Sequence, residues 1–150
     1  MNSMLIFWPV LAQVVLTILV FILMGYRKAK SIKAGTVNRK AAALDNRVWP
    51  TDVVQVSNNI ANQFETPILF YVLCIVLYIS GGVGVVALVL AWAYSLSRYA
   101  HAFVHTGSNF VPIRMRIFLF GIFVLLLMIL LAGFELASGG MSQAESYVGA

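Results

Sequence analysis

Three ionisable side chains in an otherwise apolar run are the residues of this sequence best placed to do chemistry. Arg98, His101 and His105 are three and four residues apart, so a helix would place them on one face. Ionisable groups are costly at membrane depth, and they usually face the interior of a bundle or a wet cavity. The spacing therefore predicts a basic, hydrogen-bonding stripe that faces inward.

A turn that carries more positive charge follows this stripe. Residues 106–109 read Thr-Gly-Ser-Asn, a loop signal. Pro112 can restart a helix in its first turn, and Arg114 and Arg116 follow at once. We expect Arg114 to lie at the mouth of any pocket that the stripe lines.

A second polar stripe precedes the first along the chain. Asn58, Asn62 and Glu65 follow helical spacing over about two turns, and Pro67 can kink the helix after them. A carboxylate in such a setting needs a cation, for which Arg98 is the natural candidate. Two structural alternatives remain: the asparagines can hydrogen-bond neighbouring helices, and the Arg98–Glu65 pair can serve only to fix helix register.

Composition indicates that these stripes lie in a membrane protein. The mean hydropathy is +0.93, with 61% hydrophobic and 10% charged residues, which does not suit a soluble domain of this length. The single cysteine, Cys74, excludes a disulfide framework and a cysteine-based metal motif. The net charge of +5 is concentrated beside the first apolar run, which favours membrane topology and anionic lipid over nucleic acid. The basic residues of this segment are Arg27, Lys28, Lys30, Lys33, Arg39, Lys40 and Arg47.

Hydropathy predicts an all-α membrane protein, a bundle of four transmembrane helices that forms a single domain over residues 1–150. The basic loop is cytosolic by the positive-inside rule, so both termini lie on the non-cytosolic side. Either a bacterial inner membrane or the endoplasmic reticulum is compatible with this topology. The predicted helices cover residues 4–26, 53–80, 83–106 and 112–138, and a disordered tail covers residues 139–150.

The stripes allow three kinds of chemistry. A metal could bind His101, His105 and Glu65, but Arg98 beside them would repel it, so we expect no metal. Glutamate and histidine within spans also occur in the proton relays of small transporters. The third kind is a pocket for an anionic ligand, because arginine forks suit carboxylates and a cationic pocket favours a thiolate.

Three short motifs resemble the MAPEG family, the membrane-associated proteins in eicosanoid and glutathione metabolism. They are Asn-Gln-Phe-Glu-Thr-Pro at residues 62–67, Arg98-x-x-His101, and Pro-Ile-Arg at residues 112–114. The order of spans, the basic first loop and the chain length are also similar. The resemblance implies a four-helix protomer in a homotrimer, with glutathione as cosubstrate between neighbouring subunits near the cytosolic side.

The resemblance also implies roles for individual residues. Arg114 would be catalytic and would stabilise the glutathione thiolate for attack on a lipophilic electrophile. Asn62, Glu65, Arg98 and His101 would hold the tripeptide. The predicted binding set is completed by Asn58 and His105, which continue the two polar stripes.

The sequence departs from the glutathione-using pattern at several positions. Gln55, Asn58 and Ala61 stand where such members often carry arginines, and Phe118 stands where a tyrosine is common. Two functions from different classes therefore remain: a glutathione-dependent transferase or peroxidase, and a non-catalytic lipid-binding or scaffold protein. A small transporter is the third.

Overall fold

The structure, a computed structural model, describes residues 2–148, with side chains described as far as Gly139. Two 3-10 turns, Ser3–Ile6 and Asn46–Val48, lie before α1 and before α3. The described residues form no strand. In chain order the helices are α1 Phe7–Lys33, α2 Arg39–Ala42, α3 Thr51–Gln63, α4 Thr66–Ile79, α5 Val85–Thr106 and α6 Val111–Val148.

The chain forms four long helical legs. The first is α1, the second is α3 together with α4, the third is α5 and the fourth is α6. Each leg is antiparallel to the one before it. At one end the rings of Phe7 and Tyr78 meet edge to face with centroids 5.0 Å apart. At the other end the guanidinium of Arg27 donates 2.7 Å hydrogen bonds to the carbonyls of Asp52 and Thr106. Short connections between legs favour antiparallel neighbours, and these contacts agree with that arrangement.

Within the described part of the chain, three segments are long and apolar enough to cross a membrane: Ser3–Lys33, Thr51–Ile79 and Val111–Gly139, with mean hydropathies of 2.6, 1.6 and 3.0. The helix α5 is not among them, although its 22 residues could span a bilayer core. Its arginine, histidines and serines lower its hydropathy. The four predicted legs are therefore present as helices, and the crossing by α5 stays a prediction.

The interior is divided into an apolar half and a polar half. Near the Phe7 end, Phe70, Leu77, Tyr94 and Met128 are among the side chains of a fully buried apolar cluster. A smaller cluster, formed by Leu16, Val20, Val56 and Ala102, lies toward the Arg27 end. The buried polar side chains described below lie beside this smaller cluster.

The predicted second span, residues 53–80, is two helices instead of one. The helix α3 ends at Gln63, and α4 begins at Thr66 with proline in its first turn. Proline lacks an N–H and is tolerated in a first turn, where that donor would have no partner. Pro67 therefore starts a new helix at this break, beyond the kink that the sequence suggested.

A disordered tail was predicted from residue 139, but α6 continues as a helix to Val148, and residues 149 and 150 lie outside the described part of the chain. On the outer surface, large apolar side chains are widely exposed, including Trp8 at 62%, Phe103 at 81% and Leu130 at 70%. Such a surface is unfavourable in water and suits contact with lipid or with other subunits.

Candidate functional site

The basic stripe of α5 faces the interior, as its spacing predicted. Arg98, His101 and His105 are 1%, 3% and 4% exposed. Tyr94 lies one turn before Arg98, is fully buried, and donates a 3.0 Å hydrogen bond to the hydroxyl of Thr66. This face of α5 is therefore a continuous column of buried polar side chains, with hydrogen-bond partners on α3 and at the start of α4.

The asparagine that meets this column is Asn59, not the predicted Asn58. The side-chain amide of Asn59 is buried, with Nδ2 3.2 Å from Nδ1 of His105, and that of Asn62 lies 3.4 Å from the same atom. Asn58 is exposed on the outer face of α3. The sequence places two asparagines side by side, so only the packing of α3 against α5 decides which of them turns inward.

A chain of buried amides continues from Asn59 to the first helix. Gln63 donates a 3.1 Å hydrogen bond to Oδ1 of Asn59, and Gln13 donates a 2.9 Å bond to Oε1 of Gln63. Gln13 and Gln63 are 0% and 2% exposed. The sequence reasoning missed Gln13, although a lone glutamine within an apolar span is a signal that such a side chain has a partner in the bundle.

Arg98 is satisfied in part by the end of a helix. Its Nη2 donates a 3.2 Å hydrogen bond to the carbonyl oxygen of Asn62, one of the last four carbonyls of α3, which lack partners within their own helix. A cation at a helix C-terminus also interacts favourably with the helix dipole. Within the described part of the chain, Nε of Arg98 is buried without a hydrogen-bond partner.

The predicted ion pair between Arg98 and Glu65 is not formed. The only ion pair within 4.0 Å among the described residues joins Arg47 and Asp45. Glu65 is exposed, because it lies in the break between α3 and α4 with its side chain on the outer face. The prediction that Arg98 and Glu65 pair within one subunit to fix helix register is therefore wrong. The carbonyl of Asn62, instead of the carboxylate, accepts a hydrogen bond from Arg98.

His101 lies at the centre of the cluster with both ring nitrogens free of hydrogen bonds from the described residues. Its ring is 5.5 Å from that of His105, nearly perpendicular at 88°, and 5.9 Å from that of Phe118 on α6. The guanidinium carbon of Arg98 is also 5.9 Å from the Phe118 ring. Phe118 therefore forms an apolar wall against which two cationic or polar groups pack.

Arg114 lies above this cluster at the start of α6. It is half-buried, and its Nη1 donates a short hydrogen bond to Oδ1 of Asn109. Asn109 adopts a left-handed φ of 52° in the predicted turn, a conformation that asparagine tolerates better than most residues. The turn therefore holds the Arg114 side chain toward the α5–α6 connection.

Two further side chains tie the ends of helices together beside the cluster. Gln55 donates through Nε2 to the carbonyls of His105 and Gly107, so it caps α5. Arg27 also donates to the carbonyl of Thr106, in the last turn of α5, from the end of the apolar part of α1. From the sequence, Arg27 is one of a run of basic residues that indicates membrane topology, and such a run does not show which of its members contacts other helices.

The arrangement is suited to binding acceptor-rich ligands. Arg98, His101 and the asparagines offer hydrogen-bond donors, and Arg98 and Arg114 offer positive charge. Among the described residues, no group of three histidine, cysteine, aspartate or glutamate side chains is placed to hold a metal ion. Of the predicted residues, the fold brings together Asn62, Arg98, His101 and His105, with Arg114 nearby, whereas Asn58 and Glu65 lie on the outer face.

The fold and this cluster define a class: an all-helical integral membrane protein with a basic polar site in one half of its bundle. The model of the MAPEG family matches residues 5–134. No curated protein and no solved structure gives a significant match. Because the family match covers most of the chain, this protein belongs to the MAPEG family, as its three motifs indicated.

Proposed function

We propose that this protein is a glutathione-dependent transferase or peroxidase that acts on a lipophilic electrophile, and that it works as a homotrimer of four-crossing subunits. One observation carries the proposal: Asn58 and Glu65 are exposed on the outer face of the α3–α4 leg, beside a buried Arg98 and His101 that retain unused donors. A neighbouring subunit packed against this face would lie next to Asn58 and Glu65 and would bring its own side chains toward the cluster.

The depth of these residues supports the trimer. Arg27 ends the apolar part of α1 and bonds to Asp52 and Thr106, so we take the level of these residues as the polar boundary. At a rise of about 1.5 Å per residue, Glu65 lies roughly 20 Å below Asp52 along the leg, within a hydrocarbon core about 30 Å thick. An exposed carboxylate at that depth must face protein or water. A second copy of this chain would cover it.

The same reasoning supports a membrane crossing by α5. Arg98 is eight residues, or about 12 Å, below Thr106, and its side chain is 1% exposed. Since the polar face of α5 is turned into the bundle, its outer face can meet lipid, and Phe103 on that face is 81% exposed. Hydropathy along the chain counts both faces alike, which is why α5 falls outside the segments that composition identifies.

The donor set fits glutathione, which carries two carboxylates and one ammonium. Arg98 and His101 can donate to a carboxylate, and charge-assisted bonds of this kind are the stronger ones. Glu65 can receive the ammonium from the outer face of the leg. Asn62 contacts both ends of the basic stripe: its backbone carbonyl accepts from Arg98, and its side-chain amide lies beside His105.

Arg114 is the residue we assign to catalysis. Its guanidinium, at the cytosolic mouth of the cluster, would stabilise the thiolate of bound glutathione and so raise the fraction of the nucleophilic form. The electrophile would arrive from the bilayer, past the apolar wall that includes Phe118. In the transfer reaction the thiolate sulfur forms the new bond to carbon as the leaving group departs. In the reductive case the sulfur attacks a peroxide oxygen, the O–O bond breaks and the lipid alcohol leaves after taking up a proton. A second glutathione then converts the resulting sulfenic acid to glutathione disulfide, with loss of water.

Turnover by the purified protein in detergent, measured with glutathione and an aryl halide, tests the proposal. Arg114→Ala is expected to lower kcat by about a hundredfold or more, as the loss of one donor to a developing anion usually does. Arg116→Ala removes the same charge from an exposed position two residues away and is expected to leave kcat nearly unchanged. Equal rates for the two variants would remove Arg114 from the mechanism.

A non-catalytic lipid-binding or scaffold function is the second candidate. It is favoured by the uncharged side chains of Gln55, Asn58 and Phe118, and by the hydrogen bond that ties Arg114 to Asn109. With fewer cationic contacts than the glutathione-using pattern provides, the protein would have a lower affinity for a tripeptide with two carboxylates. Glutathione that raises the unfolding temperature without supporting turnover would favour this candidate, and robust turnover would exclude it.

A further inference from the structure

The buried amides between α1 and α5 form a relay with a direction. The side chain of Gln13 donates to Gln63, that of Gln63 donates to Asn59, and the amide nitrogen of Asn59 lies 3.2 Å from Nδ1 of His105. An amide presents a donor at one end and an acceptor at the other. The orientation of each side chain in the relay therefore fixes that of the next.

At the end of the relay, Nδ1 of His105 meets donors only. The amide nitrogen of Asn59 approaches it at 3.2 Å and that of Asn62 at 3.4 Å. A nitrogen of the side-chain amide cannot accept, so Nδ1 has to be the acceptor. In a neutral imidazole the proton then resides on Nε2.

We infer that Gln13, Gln63 and Asn59 are positioning residues that hold His105 as the neutral tautomer with its proton on Nε2. The ring then presents an N–H donor, not a lone pair, on the side away from the relay. Together with the donors of Arg98 and His101, this makes the cluster selective for ligands rich in acceptors, such as carboxylates. The inference concerns a side chain that the proposed function assigns to binding, but it rests on the relay and holds whether or not glutathione is the ligand.

The relay acts as one unit because its side chains are enclosed. Gln13, Asn59 and Gln63 are 0%, 0% and 2% exposed, so water cannot replace a broken bond. Turning over a single amide would bring two donors or two acceptors together, and leaving such groups unsatisfied is unfavourable. The opposite tautomer of His105 would need a reversal of all three amides and a turn of Asn62 as well. Among the described residues, the present relay leaves one buried acceptor without a partner, Oε1 of Gln13, and the reversed relay would leave the two N–H donors of the same amide there instead.

Nitrogen NMR of the ligand-free protein in nanodiscs tests this inference directly. The chain has two histidines, and they follow different residues, Ala100 and Val104. Labelling histidine with ¹³C and ¹⁵N and the valine carbonyl with ¹³C therefore identifies the backbone amide of His105 and, through its side-chain carbons, its ring nitrogens, without a mutation. We expect a pyridine-like signal from Nδ1 and a pyrrole-like signal from Nε2. The reverse assignment, or equal averaged signals from both nitrogens, would overturn the inference.

A charge-placing variant provides the second test. Asn59→Asp replaces the donor at Nδ1 by an acceptor of the same size, so we expect the proton to move to Nδ1 and the two nitrogen signals to exchange their types. Asn58→Asp adds the same charge on the outer face of α3 and should leave the His105 signals unchanged. An Asn59→Asp spectrum identical to that of the unmodified protein would contradict the relay.

If Asn59→Asp does not fold, Gln13→Leu examines the far end of the relay. This change keeps an apolar side chain of similar size and removes the donor that orients Gln63. We expect the reversed relay to become populated, so that the His105 nitrogen signals shift toward each other. Unshifted signals in this variant would show that Gln13 does not position His105.

Discussion

At the scale of single residues, the site depends on which of two neighbouring side chains turns inward. Asn59 is buried against His105 and Gln63, whereas Asn58 is exposed. Truncating a buried hydrogen-bonding group leaves its partners unsatisfied, and this costs more than the net value of the bond. The two asparagines therefore differ in their contribution to stability, although they are chemically identical.

This difference can be measured with a matched pair of variants. Asn59→Leu is expected to lower the free energy of unfolding by about 1–3 kcal/mol, because His105 and Gln63 each lose a partner. Asn58→Leu removes a side chain that is exposed within the subunit and should lower it by less than Asn59→Leu does. Unfolding by denaturant in a fixed detergent gives both values. A larger loss for Asn58→Leu would mean that the register of α3 is wrong.

The burial of the basic face of α5 could be predicted from the sequence for a physical reason. Along α5 the ionisable residues are few and spaced by one turn, so burial of one face followed directly from the cost of exposing them to lipid. Along α3, one stretch is polar at almost every position. The alternation of apolar and polar residues that identifies the inner face of a helix is therefore missing there. For this reason the prediction that Asn58, and not Asn59, turns inward was wrong, and so was the prediction that Glu65 pairs with Arg98.

At the scale of helices, the site is held by side chains that bind the ends of other helices. Arg98 caps the end of α3, Gln55 caps the end of α5, and Arg27 joins α1 to both neighbouring legs. The accepting carbonyls at the ends of α3 and α5 are ones that a helix terminus leaves without partners, whereas Asp52, which also accepts from Arg27, lies in the first turn of α3. The break at Phe64 and Glu65 is what makes the carbonyl of Asn62 available to Arg98.

The contribution of Arg27 can be separated from its charge. Arg27→Gln is expected to lower the free energy of unfolding by about 1.5–3 kcal/mol, the usual range for a hydrogen-bonded charged group, because the carbonyls of Asp52 and Thr106 lose their donor. Lys30→Gln removes one positive charge from an exposed position on the same helix and controls for topology. Similar unfolding curves for the two variants would show that Arg27 acts only through its charge.

Helix boundaries were predicted well where apolar runs end in loops and poorly where they do not. The predicted third span of residues 83–106 matches α5 at Val85–Thr106, because glycines precede it and a loop follows it. The first helix continues to Lys33, beyond the predicted residue 26, since lysines and arginines are good helix formers and hydropathy marks only the part of a helix inside the membrane. The break at residues 64 and 65 depends on local backbone geometry that a hydropathy profile does not record.

At the scale of the whole molecule, the account depends on how many times the chain crosses the membrane. If α5 crosses, the connection at residues 80–84 and the loop at residues 107–110 lie on opposite sides. The loop then shares its side with the basic segment around Leu44, and both termini lie on the other side. A cationic site on the cytosolic side would have direct access to a soluble thiol.

Cysteine labelling of sealed vesicles tests this topology. The native Cys74 is fully buried and should stay unlabelled. Leu44→Cys and Ser108→Cys are expected to react with a membrane-impermeant maleimide on one side only, and Gly84→Cys, at an exposed position with open space around it, on the other side only. Labelling of Ser108→Cys and Gly84→Cys from the same side would show that α5 does not cross.

Calorimetric titration of the detergent-purified protein with glutathione tests the central claim most directly. We expect saturable binding that weakens about tenfold or more in Glu65→Gln, since losing a charged contact costs roughly 1.5–3 kcal/mol and 1.4 kcal/mol is tenfold in affinity. Asp52→Asn, which removes an exposed carboxylate from the first turn of α3, should bind as the unmodified protein does. Absence of binding, or equal affinities for Glu65→Gln and Asp52→Asn, would contradict the claim.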